Sequence, residues 1–403
     1  MKYDGILMGF LDNDFYKLTM QQVILNHFPE VEVEYEFKCR NKNMTMGVLL
    51  GGLLENIRDE IFKMRDLRLN HEEKQYLQTI PFIKDNYITF LENFRYDPEK
   101  HVDVCLKRGE LAIKIKGNWL HTILYEVPIL AIVSEYATRS HILYNEKDIE
   151  KKSIKSLKVK VDKIQSHSLH EDFKFADFGT RRRATAQNHE LVVRYLNEQL
   201  NILGKGNFIG TSNIHLAMKY GIKVIGTMAH EIFMGGEALF PTQTFQGCVL
   251  DAWVKTYDGN LGIALTDTIN MDSFLEAFTL SKAKMFNGCR HDSGNPIVWG
   301  DKLINHYTRL GIDSKTKQAV FSDGLTIDGA FDILEEFKDK IQCSFGIGTH
   351  LTNDIGIEPA SIVIKMQRCN GFPVAKISDE PEKAMCQSPK FLEFLKELYE
   401  IEG

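Results

Sequence analysis

The sequence predicts an α/β protein in which a (β/α) barrel carries the chemistry and a second, smaller α/β domain is built from the N-terminal and C-terminal parts of the chain. Three observations predict it. Between Phe175 and His350, short apolar runs end repeatedly in Gly-rich polar tips with amphipathic helical stretches between them, the pattern of parallel strands joined by helices. Residues 31–40 (VEVEYEFKCR) instead alternate strictly, as a half-buried strand of an antiparallel or mixed sheet does. Finally, 403 residues exceed the size at which one core usually stops growing. The expected division is 1–125 plus 356–403 for the smaller domain and 126–355 for the barrel.

The chain opens with a helix from Asp12, with Asp12 to Asp14 as cap residues, a stripe of Tyr16, Met20, Val23 and His27, and Pro29 as its stop. Helices are expected over 53–68 and 71–79, and strands over 102–107 and 110–116 about an Arg108–Gly109 turn. The apolar run 126–134, a candidate eighth barrel strand, leads into a long charged helix with Ile154, Leu157, Val161 and Ile164 on its inner side. Seven tips follow, at a spacing compatible with about 30 residues per βα unit. Residues 361–369 and 373–378 read as a hairpin about Asn370–Gly371, joining the first domain's sheet, and Pro389 to Tyr399 as a closing helix.

Net charge is −6, so neither nucleic acid nor an anionic membrane is the expected main partner; both call for a basic surface field. The longest apolar stretch, Met46 to Leu54, is far short of the ~20 residues a span requires. An acidic residue at position 4 and no apolar leader core complete the expectation of a cytoplasmic protein. Seven scattered cysteines without a close pair are expected to be reduced thiols.

The tips read FADFGTRRR (175–183), GTSN (210–213), GTMAHE (226–231), TDT (266–268), RHDSG (290–294), SDG (322–324) and GIGTH (346–350). Strand C-termini are where such folds place their sites. Glycine there suits close approach to phosphate, Asp a divalent metal and Arg anionic oxygens, so the mixture points to a phosphorylated sugar with Mg²⁺.

Together with LDNDFYKLTM (11–20), EFKCR (36–40), FIGTSN (208–213) and DSGNP (292–296), these strings, in this order, resemble the nicotinate phosphoribosyltransferases of bacteria and fungi nearly end to end. The resemblance implies an irregular barrel beside a smaller domain, and a homodimer with shared active sites. It also implies transfer of phosphoribose from phosphoribosyl pyrophosphate to nicotinate, coupled to ATP hydrolysis in NAD salvage. Alternatives are a nicotinamide or quinolinate phosphoribosyltransferase of the same fold, or a non-catalytic phosphosugar-binding barrel.

Residue by residue, the resemblance places Phe178 under the pyridine ring, with Tyr16 of another subunit on the opposite face, an arrangement suited to a pyridinium product. Arg181 is the expected substrate-contacting arginine, with Arg183 second and Arg182 adjacent. Arg40 is expected to reach the pyrophosphate from the neighbouring subunit. At position 212 the nicotinamide-using sister family carries Asp, so Ser212 favours the acid. Asp292 and Asp267 resemble the acidic residues that serve Mg²⁺ and the ribose or the catalytic histidine, with Arg290 as the expected ligand-facing arginine of that tip, Ser293 as an expected substrate contact and His291 beside them. Gly324, Gly346, Gly348 and Thr349, extended by His350, are the expected phosphate cradles. His230 is the expected acceptor of the ATP γ-phosphoryl group, oriented by Glu231 or Asp267.

Overall fold

The computed structural model describes residues 3–41, 49–141, 144–201, 206–380 and 383–401. Two main sheets organise them. The first is antiparallel, in the order β11–β10–β1–β3–β2, with β1 Glu32–Cys39, β2 Val102–Lys107, β3 Glu110–Asn118, β10 Ile362–Cys369 and β11 Phe372–Pro373. Its β1 shows the expected alternation, with Val33, Tyr35 and Phe37 buried. Strand β10 joins it antiparallel to β1, with Val33 opposite Cys369 and Phe37 opposite Ile364, so both ends of the chain build this sheet.

The hairpin forms where expected, with Asn370 and Gly371 both at positive φ (47° and 79°), the backbone of a tight two-residue turn. Its second arm is shorter than 373–378. After Val374 the chain leaves β10; the Ala375 N–H donates to Glu237 at 2.7 Å and the Ile377 N–H to the Thr268 carbonyl at 2.8 Å. Ala375–Lys376 then pairs with Met385–Cys386 as a separate ribbon, which carries Lys376 to the barrel mouth.

The second sheet is parallel, with six strands in the order β5–β4–β9–β8–β7–β6: β4 Phe175–Asp177, β5 Phe208–Thr211, β6 Ile263–Leu265, β7 Gly288–His291, β8 Gln318–Phe321 and β9 Gln342–Ile347. Six strands stand where seven tips and a candidate eighth were read. Between β5 and β6 the stretch 223–227 is irregular: the Ile225 N–H donates to Thr211 at 2.9 Å, and the Thr227 hydroxyl to the Ile263 carbonyl at 2.7 Å. Among the described residues β5 and β6 are the two edges of this sheet, so the expected barrel is not closed by strand pairing and only this loose bridging stands between them.

The candidate eighth strand is a helix, Glu126–Arg139, buried on nearly every side. A helix enclosed all round lacks the periodic polar face that would distinguish it from a buried strand, and Pro128 fits its first turn. Helix α1, Phe15–His27, is equally enclosed: Lys17, Gln21 and Gln22 are buried with its apolar residues, and Gln21 donates to the Leu120 carbonyl at 2.6 Å. Asp14 precedes it without a side-chain cap bond, and Asp12 pairs with Arg183. In the helix Glu146–Ser166 the buried side runs through Ile149, Ser153, Leu157, Val161 and Ile164, leaving Ile154 outside. The closing helix is Pro389–Leu398, and all seven cysteines are free.

Candidate active site

A cavity of about 520 Å³ opens where the strand tips of the parallel sheet face β10 and the start of α1. That is an ordinary size for a small-ligand site. Tyr16, Arg40, Phe178, Arg181, Ser212 and His230 all line it, together with Arg290, Asp292, Gly324, Gly348 and Thr349. One chain therefore brings Tyr16 and Arg40 to the cavity that holds Phe178, where the resemblance had assigned those two to another subunit.

His230 begins the helix His230–Leu239 and is buried. Its Nε2 lies 2.9 Å from Asp267 Oδ1 and 3.8 Å from Asp292 Oδ2. Burial, with Lys376 nearby, pushes its pKa down to about 4 despite both carboxylates, so the imidazole is neutral at neutral pH. With Asp267 accepting from Nε2, the lone pair resides on Nδ1. Asp267, not Glu231, therefore orients His230. Glu231 points into a different cluster, accepting from Lys17, from the Tyr35 hydroxyl and from Trp119 Nε1 at 2.8 Å.

His230, Asp267 and Asp292 offer ligand atoms within 4.8 Å of one another. Asp267 is already engaged by His230, by Ser293 Oγ at 2.6 Å and by Lys376 Nζ at 3.1 Å. Asp292 accepts, among the described residues, from Ser322 Oγ at 2.9 Å, and its side chain remains 29% exposed toward the cavity. The donor set fits Mg²⁺ held through Asp292 and substrate oxygens, because Mg²⁺ commonly uses one or two carboxylates and fills its shell with phosphate and water. Asp267 acts here as the partner of His230, and Ser293, expected to touch substrate, supports Asp267 instead.

The three consecutive arginines diverge. Arg181 lines the cavity, 3.6 Å from Glu126, and Arg182 lines it while donating to the Ile362 carbonyl at 3.2 Å. Arg183 turns the other way and is fully buried against Asp12, which removes it from the substrate set. Burial pushes the Arg182 guanidinium down to about 10, with Arg181 and Arg40 adding repulsion. Three clustered cations beside one long ion pair form a site for an anion of several charges.

Two expected cradle residues separate in the same way. Gly324, with φ of 58°, lines the cavity in a left-handed backbone that favours glycine. Gly346 does not face it: a Cβ there would lie 2.3 Å from the Phe178 ring, so this glycine makes room for the aromatic floor. Ser212 donates to Asp14 Oδ1 at 2.6 Å, both buried at the cavity wall.

Asp14, Glu126, Lys365, Lys376 and Lys383 also line the cavity and were missed. Burial lowers the Lys365 ammonium to about 8. The signal for Lys365 and Lys376 was present: each is a lone lysine inside an apolar strand run.

The chain matches the model of the nicotinate phosphoribosyltransferase (NAPRTase) family over residues 173–403 and that family's N-terminal domain over 11–134. It is 45% identical over 403 residues to nicotinate phosphoribosyltransferase 2 of Pseudomonas aeruginosa, covering 99% of this chain and 98% of that one. It is 42% identical to the Bordetella petrii nicotinate phosphoribosyltransferase, covering 98% and 99%. A crystal structure of the nicotinate phosphoribosyltransferase of Vibrio cholerae superimposes with a TM-score of 0.92 at 40% identity, over 100% of this chain and 96% of that one. That of a putative nicotinate phosphoribosyltransferase from Saccharomyces cerevisiae superimposes with 0.87 at 29% identity, over 100% of both chains. With the family model spanning more than half of the chain, and relatives this similar along its whole length, the chain belongs to the nicotinate phosphoribosyltransferase family.

Proposed function

We propose that the chain transfers the phosphoribosyl group of phosphoribosyl pyrophosphate to the ring nitrogen of nicotinate. The products are nicotinate mononucleotide and pyrophosphate, with ATP hydrolysis coupled through a phosphohistidine at His230. The observation that carries this reading is the meeting, in one cavity, of the Tyr16 and Phe178 rings, the Arg40, Arg181 and Arg182 cluster and the neutral His230.

Nicotinate would lie against the aromatic rings, whose faces favour the positive charge that the pyridine nitrogen gains as its bond to C1 of ribose forms. As that bond forms the C1–pyrophosphate bond breaks, and the leaving oxygens pass to Arg40, Arg182 and Lys365. Gly324 and Gly348, with Thr349, offer backbone and hydroxyl donors to the 5′-phosphate. Mg²⁺, held at Asp292, would neutralise part of the pyrophosphate charge. Catalysis is then mainly positioning and electrostatic stabilisation of an oxocarbenium-like centre.

His230 Nδ1, unprotonated because Asp267 accepts from Nε2, would attack the γ-phosphorus of ATP and release ADP; later hydrolysis returns phosphate and the free imidazole. We assign the activity to the cytoplasm. The resemblance implies a homodimer with shared active sites, while each chain by itself brings Tyr16, Arg40 and His230 to its own cavity. The test is incubation with phosphoribosyl pyrophosphate, Mg²⁺ and ATP, offering nicotinate, nicotinamide or quinolinate separately. Nicotinate mononucleotide and ADP are the expected products; a mononucleotide from another base alone would replace this assignment.

A further inference from the structure

The contact between Ser212 and Asp14 carries an inference that rests on the nicotinate reading and deepens it. A hydroxyl has one proton, and Ser212 Oγ lies 2.6 Å from Asp14 Oδ1 at the cavity wall. An ionised carboxylate only accepts, so it claims that proton and leaves Ser212 with lone pairs alone to offer a ligand. Such an oxygen suits the N–H of an amide and repels a carboxylate. With Asp14 protonated the direction reverses: Asp14 donates to Ser212 Oγ, and the serine proton is free to point at a ligand's carboxylate.

We propose that Asp14 is a specificity-determining residue, and that a proton on it converts Ser212 from an acceptor suited to a pyridine amide into a donor suited to a pyridine acid. The surroundings favour that proton. Asp14 is 2% exposed, and burial, with the Asp177 carboxylate behind it, raises its pKa against the opposing pull of Ser212, Arg181 and Thr180. Tyr16, on the helix that Asp14 precedes, is a further titratable group that senses it. Binding of nicotinate would then take up a proton wherever Asp14 is ionised in the free protein.

Calorimetric titration of the intact protein with nicotinate and with nicotinamide, in buffers of different ionisation enthalpy and across the neutral pH range, tests this. The wild type is expected to take up a proton with nicotinate, rising toward one per ligand as pH climbs and Asp14 becomes ionised in the free protein, and its affinity to fall in the same range, approaching about tenfold per pH unit. Nicotinamide binding should take up none. Asp14→Asn supplies a permanent N–H to Ser212 Oγ, so proton uptake should vanish, the nicotinate profile should flatten, and binding at the alkaline end should exceed that of the wild type. Nicotinate binding by the wild type with no proton uptake and no pH dependence would overturn the proposal, whether or not the variant folds. Wild-type protein that neither binds nicotinate nor forms its mononucleotide would overturn the functional reading itself, and this one with it.

Discussion

Arg183 grips Asp12 through two parallel contacts, Nη1 to Oδ1 at 2.7 Å and Nη2 to Oδ2 at 2.8 Å, with both side chains sealed from water. Asp12 also accepts from the Met8 N–H at 2.9 Å and from Asn213 Nδ2 at 2.8 Å, so the pair ties the segment before α1 to two strand tips. Burial alone would raise the Asp12 pKa, but the guanidinium reverses this and holds the carboxyl well below its usual range.

Arg183→Leu strands a buried carboxylate and is expected to cost on the order of 3–5 kcal/mol of stability, read from urea unfolding. Because the folded pKa of Asp12 is depressed, its contribution is present above the unfolded value near 4 and is lost as pH falls below it. The stability gap between the wild type and Asp12→Asn should therefore be full at neutral pH and shrink in acid. A gap that persisted unchanged in acid would show that the charge of Asp12 is not what matters.

The sequence marked the RRR run as chemical, but could not sort its members. Successive side chains diverge, and which one faces the ligand depends on a partner that only the fold supplies, here Asp12 for Arg183. Gly346 was misassigned for a similar reason, since a turn glycine and one that clears space for a ring look alike until Phe178 is seen against it. The alternation of β1 and the Asn370–Gly371 turn were legible because strand period and turn backbone are local properties. The run 126–134 was not, because a fully enclosed helix and a fully enclosed strand are both simply apolar.

Tyr16, Arg40 and His230 line the cavity of one chain. Mixing an inactive Tyr16→Ala protein with an inactive His230→Ala protein is therefore expected to leave activity at the level of the two separate variants, with subunit exchange checked by pull-down of differently tagged chains. Recovered activity would mean that these side chains serve a neighbour.

Ser212→Asp sets a second carboxylate beside Asp14 where the nicotinate carboxyl is expected. Nicotinate kcat/KM should fall at least tenfold, about 1.4 kcal/mol, while nicotinamide gains. Steady-state kinetics with both bases decide it, and unchanged nicotinate kinetics would move the carboxyl away from position 212.

His230→Asn removes the Nδ1 nucleophile while leaving Asp292 and the aromatic rings in place. ATP hydrolysis and ATP stimulation should disappear, with slow nucleotide synthesis surviving at high phosphoribosyl pyrophosphate. If phosphorylation tightens that substrate a hundredfold, the loss corresponds to ~2.7 kcal/mol. The measurement is ADP release alongside initial rate, with and without ATP; ADP still formed in step with product would place the phosphoryl acceptor elsewhere.

The pairing of β1 with β10, Val33 against Cys369, sets the order in which a growing polypeptide acquires its function. Strands β1, β3 and β2 can meet early in translation, yet one edge of β1 stays bare until the C-terminal hairpin leaves the ribosome. The same late segment delivers Lys365 and Lys376 to the cavity. A chain halted before residue 362 would thus present an unpaired strand edge and a cavity missing one wall, at once inactive and prone to sticking, so the docking of β10 on β1 is the step at which the newborn protein becomes both safe and competent.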